Sequence, residues 1–347
     1  MKRFVAFFTA CLLLTACYED YIFDYEYSAI YAAYQYDLRT FIPEEEDLQV
    51  SFSAALAGII DNKEDRNVKV SIDNSLLSSD LSVFDESGGT ASFTALDGLK
   101  GNGKLGDISQ AYVSNEIKAA GISALAPLPE SYYNVSPSGN LVIAKGSHTA
   151  KMRITPTSEM FKDEKLLKPY YAVAFRIESA DADVVIPDKS FQIMAVKVEN
   201  TFYGNWYHGG KIMVISNSDG SVISGESYPY SLPQPDSKIY TLTTEGIHSV
   251  LTDKLSNTPG QLRLNFMENG EITVEDPSGQ REIRPINGSP SRHNGAKLLQ
   301  DRKIFLNYTW NNGDGTSTIV TDTLFFRNRV RDGMSEWQDE NPDHYKE

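Results

Sequence analysis

Cysteine is nearly missing from this chain: two among 347 residues, at positions 11 and 17. That excludes the disulfide framework which staples small secreted domains. Histidine is also scarce. His148, His208, His248, His293 and His344 lie far apart, form no His-Glu-x-x-His and have no cysteine pair to share a zinc, so they read as surface residues and no metal or other cofactor is expected. Lys and Arg number 32 against 47 for Asp and Glu, and the formal net charge of −15 has the wrong sign for gripping a phosphate backbone. Nucleic acid is therefore not an expected partner, and a polybasic face for anionic lipid is excluded as well. The apolar run Phe4–Leu14 is too short to cross a bilayer, which takes ~20 residues. The rest of the composition, 41% hydrophobic and 23% charged, is that of an ordinary globular protein, and the length suggests two domains.

Lys2 and Arg3, the run Phe4–Leu14 and the sequence Leu14-Thr15-Ala16-Cys17 together read as a secretory signal over residues 1–16. The ending resembles the bacterial lipoprotein box. That resemblance implies cleavage before Cys17, acylation of its sulfur and anchoring in outer-membrane lipid. Cys11 leaves with the signal. The following Tyr18-Glu19-Asp20-Tyr21 resembles the surface-export signal of Bacteroidota lipoproteins, which implies the outer face of the outer membrane, that is, the cell surface.

Residues 17–45 are rich in tyrosine, show little periodicity and close on Glu44-Glu45-Glu46-Asp47, so they read as the lipidated cysteine and a solvated tether. From Leu48 the pattern changes to alternation. Leu48, Val50, Phe52, Ala54 and Leu56 fall on one side, and the same period of two recurs at Val68–Ile72, Ala150–Ile154 and Tyr171–Ile177, with an apolar run at Phe191–Val198. Short helices are expected near Ser114–Ala120 and Ser158–Leu167. Strands are also expected at Lys211–Ile215, Ile239–Leu242, Leu262–Phe266, Ile272–Val274, Ile304–Trp310 and Ile319–Phe326, with Asn269-Gly270 turning a hairpin. The fold class is all-β, with a sandwich over 46–200 and a second β-domain over 201–347 that ends in an acidic tail.

Leu128-Pro129-Glu130-Ser131-Tyr132-Tyr133 followed by Ser138-Gly139-Asn140-Leu141-Val142-Ile143-Ala144-Lys145-Gly146 resembles the N-terminal immunoglobulin-like domain of Bacteroidota surface lipoproteins of the glycan-utilisation type, a domain also found ahead of some endoglycosidases. That family usually carries a proline where this chain has Ala174, a departure read here as falling on an edge strand. Phe202-Tyr203-Gly204-Asn205-Trp206-Tyr207 and Asp322–Gly333 look like the C-terminal β-domain that follows it. The resemblance implies capture of an oligosaccharide or polysaccharide at the cell surface, beside an outer-membrane transporter of the starch-utilisation type. The Asp-x-x-Asp-x-Asp-x-Glu signature of the related catalytic class is absent.

Other motifs carry less. Gly98–Leu105 nearly spells a phosphate loop, and Gly101–Gly106 a dinucleotide pattern, but Leu105 stands where magnesium needs Ser or Thr and no strand precedes. Asn311-Asn312-Gly313-Asp314-Gly315-Thr316 offers oxygen ligands for calcium, yet lacks the downstream Glu of an EF-hand and reads first as a hairpin tip. No Gly-x-Ser-x-Gly elbow occurs.

Aromatic side chains are the best binding signal. Trp206, in Gly204-x-Trp206, resembles the entry motif of lipocalin-like barrels, where the indole closes the floor under an arginine, here Arg327 or Arg329; an antiparallel barrel is thus expected for the second domain, with a second sandwich as the alternative. Trp310 shares a face with Ile304, Leu306 and Tyr308, so burial and ligand contact are both open to it. Trp337 has no local apolar face. Trp310 and Trp337, with Tyr207 and Tyr308, are the candidate sugar-stacking residues. The leading expectation is a non-catalytic glycan-binding surface lipoprotein. The alternatives are a structural or adhesive surface protein and a glycoside hydrolase with an unrecognised carboxylate pair.

Overall fold

The computed structural model describes residues 24–43, 45, 48–77, 113, 115–122, 125–228 and 238–339. Cys17 with its flanking signals, the glycine loop 98–106 and His344 lie outside them. Of the described residues, one compact unit holds those up to Arg39, Gln49–Met160 and Lys168–Val196; the other holds Thr40–Leu48, Phe161–Leu167 and Lys197 onward.

The first unit carries β1 (Ala29–Ala32), β2 (Tyr36–Phe41), β3 (Val50–Ala57), β4 (Arg66–Ile72), β5 (Ala126–Pro127), β6 (Tyr133–Ser136), β7 (Asn140–Ile143), β8 (Thr149–Pro156), β9 (Tyr171–Ala180), β10 (Val184–Val185) and β11 (Phe191–Val198). They form two sheets, ordered β10-β1-β3-β8-β6 and β2-β11-β9-β4-β7, with β5 beside β9. Phe52 of β3 meets Phe175 of β9 at 5.2 Å, so the sheets face each other as a sandwich. A helical segment, described at 113 and 115–119, packs Val113 and Ile117 against Ala172, Ala174, Ile193 and Ala195 on the other face of the second sheet. With both faces covered, Tyr171–Phe175 is buried without a break, and the helix-facing positions of β9 are alanines because a helix lies over them.

Two sequence expectations change here. The tether ends earlier than residue 45: Ile30, Ala32, Tyr36 and Leu38 are buried, and β1 and β2 join opposite sheets. Ala174 sits on a central strand, between β11 and β4, rather than at an edge. A proline there cannot donate to the ladder, which gives its absence a physical reason.

The second unit carries β12 (Gly204–Ser216), β13 (Val222–Tyr228), β14 (Lys238–Gly246), β15 (Ser249–Thr252), β16 (Arg263–Phe266), β17 (Ile272–Glu275), β18 (Arg284–Pro285), β19 (Arg292–His293), β20 (Lys303–Asn311), β21 (Thr316–Arg331) and β22 (Met334–Glu336). Antiparallel pairing runs β17-β16-β15-β14-β12-β21-β20, and β20 pairs β19. The ring then closes, since Ile272 N donates to Ser291 O at 2.8 Å and His293 N to Gly270 O at 3.1 Å. The result is an up-and-down barrel, with β13 as a side ribbon on the long β12. The 266–272 hairpin forms as expected, with Gly270 at φ 82°.

Alternation along β12, β20 and β21 sends Trp206, Leu306, Tyr308, Val320 and Leu324 into the barrel. Trp206 is fully buried, donates its Nε1–H to Phe202 O at 3.1 Å and meets Phe326 edge-on at 5.4 Å. The expected cation over this indole is placed elsewhere: Arg329 lies over Tyr203 at 5.5 Å and Arg327 over Tyr207 at 5.8 Å. Arg327 points outward and is exposed, whereas Arg329, beyond the register shift at Asn205/Trp206, is buried with its guanidinium held by Glu45 and Glu336.

Candidate functional site

In the first unit, the chain just before β1 borders a cleft of about 450 Å3. Tyr25 and Tyr27 meet edge-to-face at 5.0 Å and remain 64% and 46% exposed. Both rings therefore keep faces open to water. Backbone contacts seat the segment: Tyr25 N donates to Gly58 O at 2.7 Å, and Ile60 N to the Asp24 carboxylate at 2.7 Å. Gly58, at φ 82°, is needed for this approach, because a Cβ there would lie 2.2 Å from the Tyr27 carbonyl oxygen.

Polar groups close the far side. Ser28 donates its N–H and Oγ–H to Asp183, each at 2.7 Å, and Asn67 donates its backbone N–H and Nδ2 to Asp181 at 2.9 and 2.8 Å. These hydrogen bonds hold both carboxyls below their usual range, so they are anionic acceptors at neutral pH. Arg66 donates to Asp181 O at 2.8 Å and pairs with Glu64 at 3.0 Å. A second cleft of about 550 Å3, bordered by Asn67, Lys69 and Asn140, shares Asp181 with the first. The cleft thus sets open aromatic rings, which can stack on apolar C–H faces, beside fixed anionic acceptors and an arginine, which can pair with hydroxyl groups.

The tryptophans and tyrosines singled out in the sequence belong to the second unit, whereas this cleft belongs to the first. Tyr308 is 0% and Trp310 9% exposed, stacked on each other at 6.1 Å in the barrel interior. Neither can offer a face to a sugar, so both are corrected from ligand-binding to core residues. Tyr207 is half-buried on the outer wall, and Trp337 is 61% exposed beyond β22. The Asn311–Thr316 loop is a hairpin tip whose oxygens serve the turn: Asn311 Oδ1 accepts from Gly313 N at 2.8 Å and Asp314 Oδ1 from Thr316 N at 3.0 Å. Among the described residues no cluster of His, Cys, Asp and Glu could hold a metal.

Arg329 is buried with two carboxylates. Its guanidinium binds Glu45, and Nε donates to Glu336 at 2.6 Å; Arg331 joins the same two acids at 2.6 and 2.7 Å. Burial pushes the Glu45 carboxyl up, but the two arginines outweigh it and hold it below its usual range.

One polar cluster lies inside the barrel, and it corrects the surface reading of His208. His208 Nε2 stands 3.1 Å from Asp322 Oδ2, and both side chains are enclosed. Tyr228 donates its hydroxyl to Asp322 at 2.6 Å and meets Ser256 Oγ at 2.5 Å; Ser256 N donates to Tyr240 Oη at 2.9 Å. Burial, then the nearby Asp322 charge, pushes the Tyr228 and Tyr240 phenols upward, so they stay protonated donors. Gly210 makes room, since a Cβ there would lie 2.3 Å from Asp322 Oδ1. Asp322 is the single carboxylate of this cluster among the described residues, so the cluster lacks the acid pair of a glycosidase.

No protein-family model matches the chain, and no curated protein does. Solved structures do. One from Bacteroides ovatus, of unknown function, aligns with a TM-score of 0.61 at 19% identity over 91% of this chain and 99% of that one. A Bacteroides ovatus multidomain protein including DUF1735 aligns at 0.39, 12% identity, 90% and 100% coverage. An auxiliary nutrient binding protein from Bacteroides thetaiotaomicron aligns at 0.36, 12% identity, 86% and 95% coverage. The first likeness is one of fold, and it extends along nearly the whole chain.

Proposed function

We propose that this chain is a non-catalytic, lipid-anchored protein of the outer cell surface that binds a glycan in the cleft of its first unit, for uptake through an outer-membrane transporter. The observation that carries the reading is the exposed Tyr25–Tyr27 pair beside the Asp181 and Asp183 carboxylates. On this reading the pair follows the lipid-bearing Cys17 by only eight to ten residues. Capture then happens close to the membrane. A glycan array probed with residues 18–347 tests the reading: the wild type should retain at least one glycan, and a Tyr25→Ala/Tyr27→Ala variant should lose it.

One observation favours a second reading, adhesion by protein contact. β13 pairs β12 along one edge and exposes Val222 and Ile223, at 61% and 58%. Such an edge can accept a strand from another protein. Self-association or partner capture abolished by Ile223→Lys, with no glycan retained on the array, would favour that reading instead.

A further inference from the structure

The outer wall of the barrel carries a repeated unit that the cleft does not explain. Arg327 lies over Tyr207 at 5.8 Å, Lys303 over Phe325 at 5.4 Å and Arg292 over Phe305 at 5.7 Å. The pairing register places the three cations on one diagonal. Lys303 is opposite Phe325, two residues before Arg327, and Arg292 is opposite Phe305, two residues after Lys303. Each step therefore crosses one strand and advances two residues. With strands ~4.8 Å apart and ~6.8 Å per two residues, neighbouring cations stand about 8 Å apart at their Cα atoms. The rings follow a different line: Tyr207 is directly opposite Phe325, and Phe305 lies two residues beyond Lys303, the residue opposite Phe325 on the next strand.

These cations differ from the other arginines of the barrel. Arg329 and Arg331 share Glu45 and Glu336, Arg263 pairs with Glu245, and Arg284 with Glu282. Among the described residues, Arg292, Lys303 and Arg327 form no ion pair, although the chain carries a net charge of −15. Asp301, two residues before Lys303 in sequence, makes no ion pair with any of them among the described residues. Arg292 and Arg327 are exposed. An aromatic face beneath each cation limits its freedom, so part of the ordering cost of binding is already met before a ligand arrives.

We propose that this staircase is a second binding site, for a linear acidic glycan whose carboxylate or sulfate groups repeat at about the length of a disaccharide. The inference rests on the glycan reading above and adds to it a ligand class and a separate surface. An acid-lined cleft suits neutral sugar hydroxyls and repels an anion; the staircase does the reverse.

The test uses residues 18–347 with two acidic probes, oligogalacturonate for carboxylate and a heparin octasaccharide for sulfate, beside a panel of neutral oligosaccharides and a poly-glutamate peptide. Binding of either acidic glycan should weaken as salt rises. It should fall about tenfold with each of Arg292→Gln, Lys303→Gln and Arg327→Gln, and be lost in the triple variant at an unchanged melting temperature. Lys211→Gln, an exposed control on β12, should leave it unchanged. Neutral glycan bound by wild type and triple variant alike, with no acidic glycan bound, overturns this inference and leaves the cleft reading standing. No glycan of either kind overturns both. Poly-glutamate bound as tightly as the acidic glycans overturns the glycan identity of the ligand.

Discussion

Replacing Asp322 by alanine removes the acceptor that organises the barrel interior. Tyr228 loses a 2.6 Å hydrogen bond and His208 loses the carboxylate 3.1 Å away, and neither side chain can turn to water. Leaving a buried donor without its acceptor costs ~1–3 kcal/mol, and more where the lost acceptor is a carboxylate. At roughly 2–4 °C per kcal/mol for a domain of this size, the barrel should melt on the order of 10 °C lower. Asp322→Asn keeps an acceptor for the Tyr228 hydroxyl and gives up only the charge, so it should lose clearly less. Scanning calorimetry of both variants, with glycan binding measured in parallel, separates a structural cluster from a working one. A loss under about 1 kcal/mol in Asp322→Ala, or a specific loss of binding at unchanged stability, would refute the structural account.

Three further outcomes follow from the same geometry. Gly58→Ala forces an L-residue into the left-handed region and against the Tyr27 carbonyl, so the first unit should lose ~1–3 kcal/mol and glycan affinity should drop with it; unchanged affinity would show that Gly58 does not seat the tyrosines. Glu45 has a folded pKa held below its unfolded value, so its contribution is present above about pH 4.3 and is lost as the pH falls through the folded value. Urea midpoints of wild type and Glu45→Gln should accordingly differ at pH 7 and converge in acid, and a gap that widens in acid would contradict the sign. Cys17→Ala should release the protein from the cell surface, which protease shaving of whole and lysed cells will read.

Most strands could be read from alternation, because one face of each is covered and the period of two follows directly. Tyr36-Asp37-Leu38-Arg39 carries the same signal, but the tyrosines around it mask the alternation, so β2 reads as tether from sequence alone. The barrel was legible from Trp206 and the strand count, but the ring partners of Arg327 and Arg329 depend on cross-strand neighbours that no local pattern displays. Trp310 beside a polar loop looks like a ligand contact, whereas its place on the inward row of β20 decides its burial. The cleft was illegible for a plainer reason: Ser28 and Asp183, which brace it, stand 155 residues apart. Tyr25 and Tyr27 become a site only when β1 and β10 pair.

Titration calorimetry of residues 18–347 against the glycan retained on the array, with wild type and the single variants Tyr25→Ala and Tyr27→Ala, tests the central claim most directly. A stacking contact is worth on the order of 1–2 kcal/mol, so each variant should bind roughly tenfold more weakly while melting at the wild-type temperature. Equal affinity in wild type and both variants would contradict the claim that the sugar sits on this tyrosine pair.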